Sequence, residues 1–190
     1  MYPDGWSRYA LLARLDGAKP KSHLARFAAR YRFAGQLNSI EVLGMSPATT
    51  DSYLATLRLA LAYSALEALE TEFKGQHKLQ VIDRNLARQA KSPKMLALRN
   101  FAQASAEKRL KDRLEQFFEH ENNVDLRPLI EALRHAMFHG NFNPSSTGVN
   151  SKTVNKFVNQ LCERVFAVIN ERSAETFASL SLARDFAREE

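Results

Sequence analysis

Only one cysteine, Cys162, stands among 190 residues, so no disulfide can form within the chain and thiolate metal clusters are excluded. Stability must come from packing, and a chain of this length can bury roughly two-thirds of its unfolded surface without covalent staples. Apolar residues nowhere run unbroken for the ~18 positions of a membrane span. The N-terminal MYPDGWSRYALLARLDG lacks the charged start and long apolar run of a secretory leader. These absences predict a cytoplasmic protein with no membrane partner. Strand-like alternation, internal repeats, a glycine-rich phosphate loop, a nucleophile elbow, a dinucleotide fingerprint and a His-Glu-x-x-His zinc motif are missing too, which disfavours the common nucleotide and metal enzymes. No metal or other cofactor is expected.

What is present is the balance of a packed globular chain, with 45% hydrophobic and 25% charged residues. One domain over residues 1–190 follows from this length. The net charge of +6 is unevenly placed: nine Lys/Arg between Arg84 and Arg113 face only Glu107 and Asp112, leaving that segment at +7. Such a run reads either as a solvated helix face or as a guide for a polyanion such as RNA.

Helical periodicity dominates. Residues 1–20, with Pro3, Gly5, Gly17 and Pro20, read as an irregular lead-in whose Trp6 and Tyr9 dock on the body. Leu24, Phe27, Tyr31, Ala34 and Leu37 predict a helix from Ser22 to about Leu43. Ser46-Pro47 caps a long central helix carrying Tyr53, Leu54, Leu57, Leu61, Ser64, Leu66 and Leu69 and ending near Lys74-Gly75. A shorter helix is predicted over Leu79 to Gln89. Ser92-Pro93 repeats the capping signal before a stretch that runs to about Phe118 with a break near Ser105. Asp125 caps LRPLIEALRHAMF, which Gly140 stops, and Ser151 begins a last helix with Val154, Phe157, Val158, Leu161, Val165, Phe166 and Ile169 inward. Cys162, in the middle of that apolar stretch, reads as a buried spectator thiol. The fold class is an all-α helical bundle.

The helix before Gly140 carries the chemistry. At about 100° per residue, Leu126, Ile130, Leu133 and Met137 share the core face, while Glu131, Arg134, His135 and Phe138 form a second, mixed one. His139 sits at the helix end, where its ring can swing toward Arg134. A histidine there also suits the helix macrodipole, and Arg134 beside Glu131 suits a surface ion pair. His120 lies between Glu119 and Glu121, but consecutive helical residues point apart, so it reads as surface. His23 and His77 stand alone. Tyr53, Tyr63, Phe117 and Phe118 have helical spacing and read as core.

Arg134-His135-Ala136-Met137-Phe138-His139, followed by Gly140-Asn141-Phe142, resembles the arginine, polar residue, spacer, histidine signature of the HEPN family. The resemblance implies a HEPN-like bundle with an extra N-terminal helix, a homodimer whose two motifs meet in one cleft, and RNA cleavage without metal. Arg134 and His139 would be catalytic, with His135 in the polar position supporting them and Asn141 helping to position RNA. The residue types suit that reaction. An imidazole titrating near neutrality can take or give the protons of an attacking 2′-hydroxyl and a leaving oxygen, and a guanidinium fork can hold non-bridging phosphate oxygens. The likeness further implies a toxin or defence effector, with an antitoxin or regulatory protein as a partner. In HEPN toxins paired with minimal nucleotidyltransferase antitoxins, a tyrosine that becomes modified stands two positions after the histidine. Here that position is Asn141, which argues against that route of regulation. The rival expectation is a non-catalytic HEPN-like module that uses the mixed face to bind a partner protein or RNA.

Overall fold

A computed structural model describes residues 2–15, 22–71 and 79–189. Its helices are α1 (Trp6–Leu15), α2 (Ser22–Gln36), α3 (Pro47–Glu70), α4 (Arg84–Ala90), α5 (Leu96–Ser105), α6 (Lys108–Glu119), α7 (Arg127–Phe138), the short α8 (Pro144–Thr147) and α9 (Lys152–Glu189). Among the described residues there is no strand, only one isolated antiparallel bridge between Ile82 and Asp125. The all-α expectation holds. No helix among these residues is long and apolar enough to cross a membrane.

Helix α3 is the axis, packed along α2, α9 and α7. Ser46 caps it through its hydroxyl, which accepts the Thr49 N–H at 3.3 Å, and Pro47 opens its first turn. The tightest burial falls on Ala55, Leu59, Ala62, Tyr63 and Leu66 rather than on Tyr53, Leu54, Leu57 and Leu61, which are half-buried. A helix with neighbours on several sides has no single apolar stripe, and small alanines let those neighbours approach. The predicted end near Lys74-Gly75 lies outside the described residues, as does His77.

Other boundaries moved for local reasons. Helix α2 stops at Gln36, and Leu37 to Ser46 form a connection in which Leu43 is 91% exposed and Gly44 turns at φ 79°. No residue between Leu37 and Ser46 is buried, so the apolar spacing that continues to Leu43 has no packed face to hold it helical. The helix predicted from Leu79 starts only at Arg84. Residues 79–83 are extended beside the start of α7, where the Leu126 N–H donates to Val81 O at 2.9 Å, and Asp83 caps α4 by accepting the Asn85 and Leu86 N–H groups. Ser92-Pro93 opens a single 3-10 turn ahead of α5, and the predicted break falls after Ser105, where Ala106 is extended.

The lead-in is not irregular throughout, because Trp6–Leu15 is helical. Tyr9 and Trp6 do dock, meeting Phe177 of α9 at ring-centroid distances of 5.3 and 5.6 Å. Gly5 makes this possible: its φ is +79°, and a Cβ there would lie 2.7 Å from the Phe177 Cβ. In α9, Ser151 accepts the Val154 N–H at 3.2 Å, and Phe157, Leu161, Val165 and Ile169 are buried while Phe166 is half-buried. Cys162 is buried among them, and desolvation pushes its thiol up to about 12.

Candidate functional site

Helix α7 enters the bundle through Asp125, whose carboxylate accepts both the Arg127 and the Val81 N–H groups at 3.1 Å. This one side chain serves the first turn of the helix and the extended segment beside it. Leu126, Ile130 and Leu133 are buried as expected, and Leu129, Ala132 and Ala136 are buried too, because α3, α5 and α6 all pack on α7. Gly140 ends the helix at φ +72° with open space around its α-carbon. The Asn141 N–H then reaches back to Ala136 O at 3.0 Å, the six-to-one bond of a Schellman turn. Phe142 is buried against Phe101 and Tyr53, and its carbonyl accepts the Tyr53 hydroxyl at 2.9 Å. Asn141 is left exposed between the cap and this anchor.

This termination brings two of the four expected site residues together. The His135 and His139 rings, one helical turn apart, lie with centroids 4.2 Å apart and planes inclined by 34°. His135 is half-buried and His139 exposed, beside a Phe138 that is 52% exposed. His139 therefore stacks on His135 instead of swinging toward Arg134.

Arg134 turns the other way. Its Nη1 lies 3.1 Å from Glu67 Oε2 on α3, and its guanidinium carbon stands 5.8 Å from the centre of the Tyr63 ring. Its Nε is buried and makes no hydrogen bond. The ion pair expected with Glu131 does not form. Glu131 instead accepts the Tyr63 hydroxyl at 2.7 Å and a bond from Arg113 of α6.

Behind Arg134 the chain thus gathers three guanidiniums and three carboxylates around one phenol. Arg127, only 3% exposed, donates to Glu70 and to Leu79 O, and its Nε lies 3.8 Å from Glu131. Burial raises the Tyr63 pKa far above its ordinary value, more than the Arg127 charge lowers it. Burial likewise raises Glu67, against the opposing pull of Arg134. At Glu131, desolvation is outweighed by the hydrogen bonds from Arg113 and Tyr63, and its pKa falls below the ordinary carboxylate value. Reading the sequence missed this cluster. The available signal was a pair of acids, Glu67 and Glu70, at the end of the Ala- and Leu-rich second half of the central helix.

Among the described residues no group of three or more His, Cys, Asp or Glu side chains could hold a metal ion. No family model, no curated protein and no solved structure matches the chain.

Proposed function

We propose that the chain is a metal-independent endoribonuclease of the HEPN type, working as a homodimer with a composite site and serving as a cytoplasmic toxin or defence effector. The observation that carries this reading is the pair of imidazoles at the end of α7, His135 and His139, 4.2 Å apart and directly after Arg134 in the motif. The role in defence rests on the resemblance of the motif alone.

In the proposed reaction a 2′-oxygen attacks the adjacent phosphorus as a histidine removes its proton. The P–O5′ bond breaks as a second imidazole protonates the departing oxygen. The products are a 2′,3′-cyclic phosphate and a 5′-hydroxyl. His139 is exposed enough to meet the substrate directly, and the His135 ring packs against it. Arg134 keeps N–H donors beyond the one facing Glu67, and these suit the non-bridging phosphate oxygens. Asn141 stands at the mouth of the cap, where its side chain can contact the strand. A dimer brings two such sets together, and the exposed Phe138 supplies apolar surface for that contact.

The test is cleavage of a mixed RNA pool in excess EDTA by wild type and His139→Ala, with the product ends analysed. Cyclic phosphate ends made by wild type alone are expected. The absence of cleavage by a folded wild-type dimer would leave the second reading, a non-catalytic HEPN-like module that binds a partner protein or RNA. That alternative is favoured by one specific feature, the engagement of Arg134 by Glu67.

A further inference from the structure

The basic run between Arg84 and Arg113 divides, once folded, into cations already engaged and cations left over. Arg113 is bound to Glu131, and Arg99 lies over the Phe118 ring at 4.8 Å. Lys91 donates to His120 O and Asn123 O at 2.7 Å and sits 4.8 Å from the centre of the Phe117 ring. It staples α4 to the connection between α6 and α7. Arg84 and Arg88 are exposed and form no hydrogen bond or ion pair with any described residue.

Their spacing matters. Positions 84, 88 and 91 follow one another at intervals of four and three, so all three side chains share one face of α4. That face lines a cleft of about 680 Å³ whose other wall is Glu121, Asn122 and Val124. Three cations against one carboxylate leave the cleft positive. Glu121 repels an anion from its own wall, so the favoured contact lies along the Arg84–Arg88 edge. The walls are tied to each other by the Lys91 staple and by the Ile82–Asp125 bridge. The backbones that carry the two walls are therefore fixed relative to each other before any ligand arrives.

We propose that Arg84 and Arg88 form a second RNA contact, each holding one backbone phosphate of a single strand. Guanidinium forks match phosphate oxygens in pairs, and side chains at i and i+4 stand about 5–6 Å apart at Cβ, a spacing that suits neighbouring phosphates of one strand. Val124 leads into the start of α7, whereas His135 and His139 occupy its end. The 12 residues of α7 span about 18 Å, so the contact is remote from the imidazole pair and would grip the strand away from the scissile bond. This inference rests on the reading of RNA as substrate but not on catalysis.

The experiment measures fluorescence anisotropy of a short labelled RNA bearing 2′-O-methyl groups, which cannot be cleaved, across a salt series. Arg84→Gln/Arg88→Gln is expected to weaken binding by about tenfold at low salt and to reduce the slope of log K against log salt by about 1.4, two contacts at ~0.7 each. Unchanged affinity in the double variant overturns the proposal, as does failure of the wild type to bind. An equal loss in the control Lys108→Gln/Lys111→Gln overturns it too, because it would mean diffuse charge rather than a site. Intact binding without cyclic ends from unmodified RNA would remove the nuclease reading and leave this contact standing.

Discussion

Arg134 of the motif is held by a residue far from it in sequence: its Nη1 lies 3.1 Å from Glu67 Oε2 across the α3–α7 interface. Both side chains are about one-third exposed, so solvent screens the pair and it adds little to stability. Its consequence is orientation. The guanidinium is aimed along Tyr63, and a phosphate must compete with Glu67 for part of its donor set.

Two carboxyls of this cluster give opposite pH dependence. Glu67 has a raised folded pKa, so it binds its proton more tightly when folded, and its contribution declines as pH rises from the unfolded carboxylate value through the folded one. Glu131 has a lowered folded pKa; its contribution is present above the unfolded value and is lost as pH falls through the folded one. Urea unfolding between pH 3 and 7 should show that Glu131→Gln flattens the loss of stability in acid. Glu67→Gln should instead gain relative to wild type as pH rises. Parallel pH profiles for wild type and both variants would contradict this assignment.

Arg127 is the most buried charge in the cluster, and Glu70 is its main partner. Glu70→Ala should therefore cost about 3 kcal/mol, the low end for breaking a buried pair, because it removes the main partner of a buried guanidinium and leaves it only Leu79 O and the more distant Glu131. Replacing both with apolar residues, Glu70→Leu with Arg127→Met, should recover most of that loss. Chemical denaturation of the single and double variants decides the matter, and a double variant no better than Glu70→Ala would count against it.

Gly5 and Gly140 share a positive φ but differ in their surroundings. Gly140→Ala meets open space and should cost only the left-handed backbone term, about 1–2 kcal/mol. Gly5→Ala adds a clash with Phe177 and should lift α1 off α9. Trp6, the chain's one tryptophan, reports this directly: its fluorescence should shift toward the solvent-exposed value in Gly5→Ala and stay unchanged in Gly140→Ala.

Cys162 is buried, with its thiol pushed up to about 12. A thiol reagent at pH 8 should leave the native protein unlabelled over minutes and label it stoichiometrically in denaturant, because the thiolate is the reacting species. Rapid labelling of the native protein would mean that α9 opens locally.

The sequence by itself determined the elements whose causes are local. Ser46, Asp125, Gly140 and Ser151 mark helix boundaries because a cap is made within a few residues of itself, Pro93 opens its turn through its fixed φ although Ser92 makes no side-chain cap, and the 3.6-residue period of α9 names its buried face. The stop of α2 at Gln36 and the extended run at 79–83 were not readable in this way. The first turns on the loss of a packed face beyond Gln36, and the second on pairing with residues more than forty positions later. Tertiary structure alone decided the partners of the charged groups. Local spacing offered Glu131 to Arg134, but the fold turned Arg134 to Glu67 and gave Glu131 to Arg113 and Tyr63. A long charged side chain reaches many neighbours at similar cost on an isolated helix. Which one it takes is settled when a second helix fixes where the low-dielectric, hydrogen-bonded positions lie.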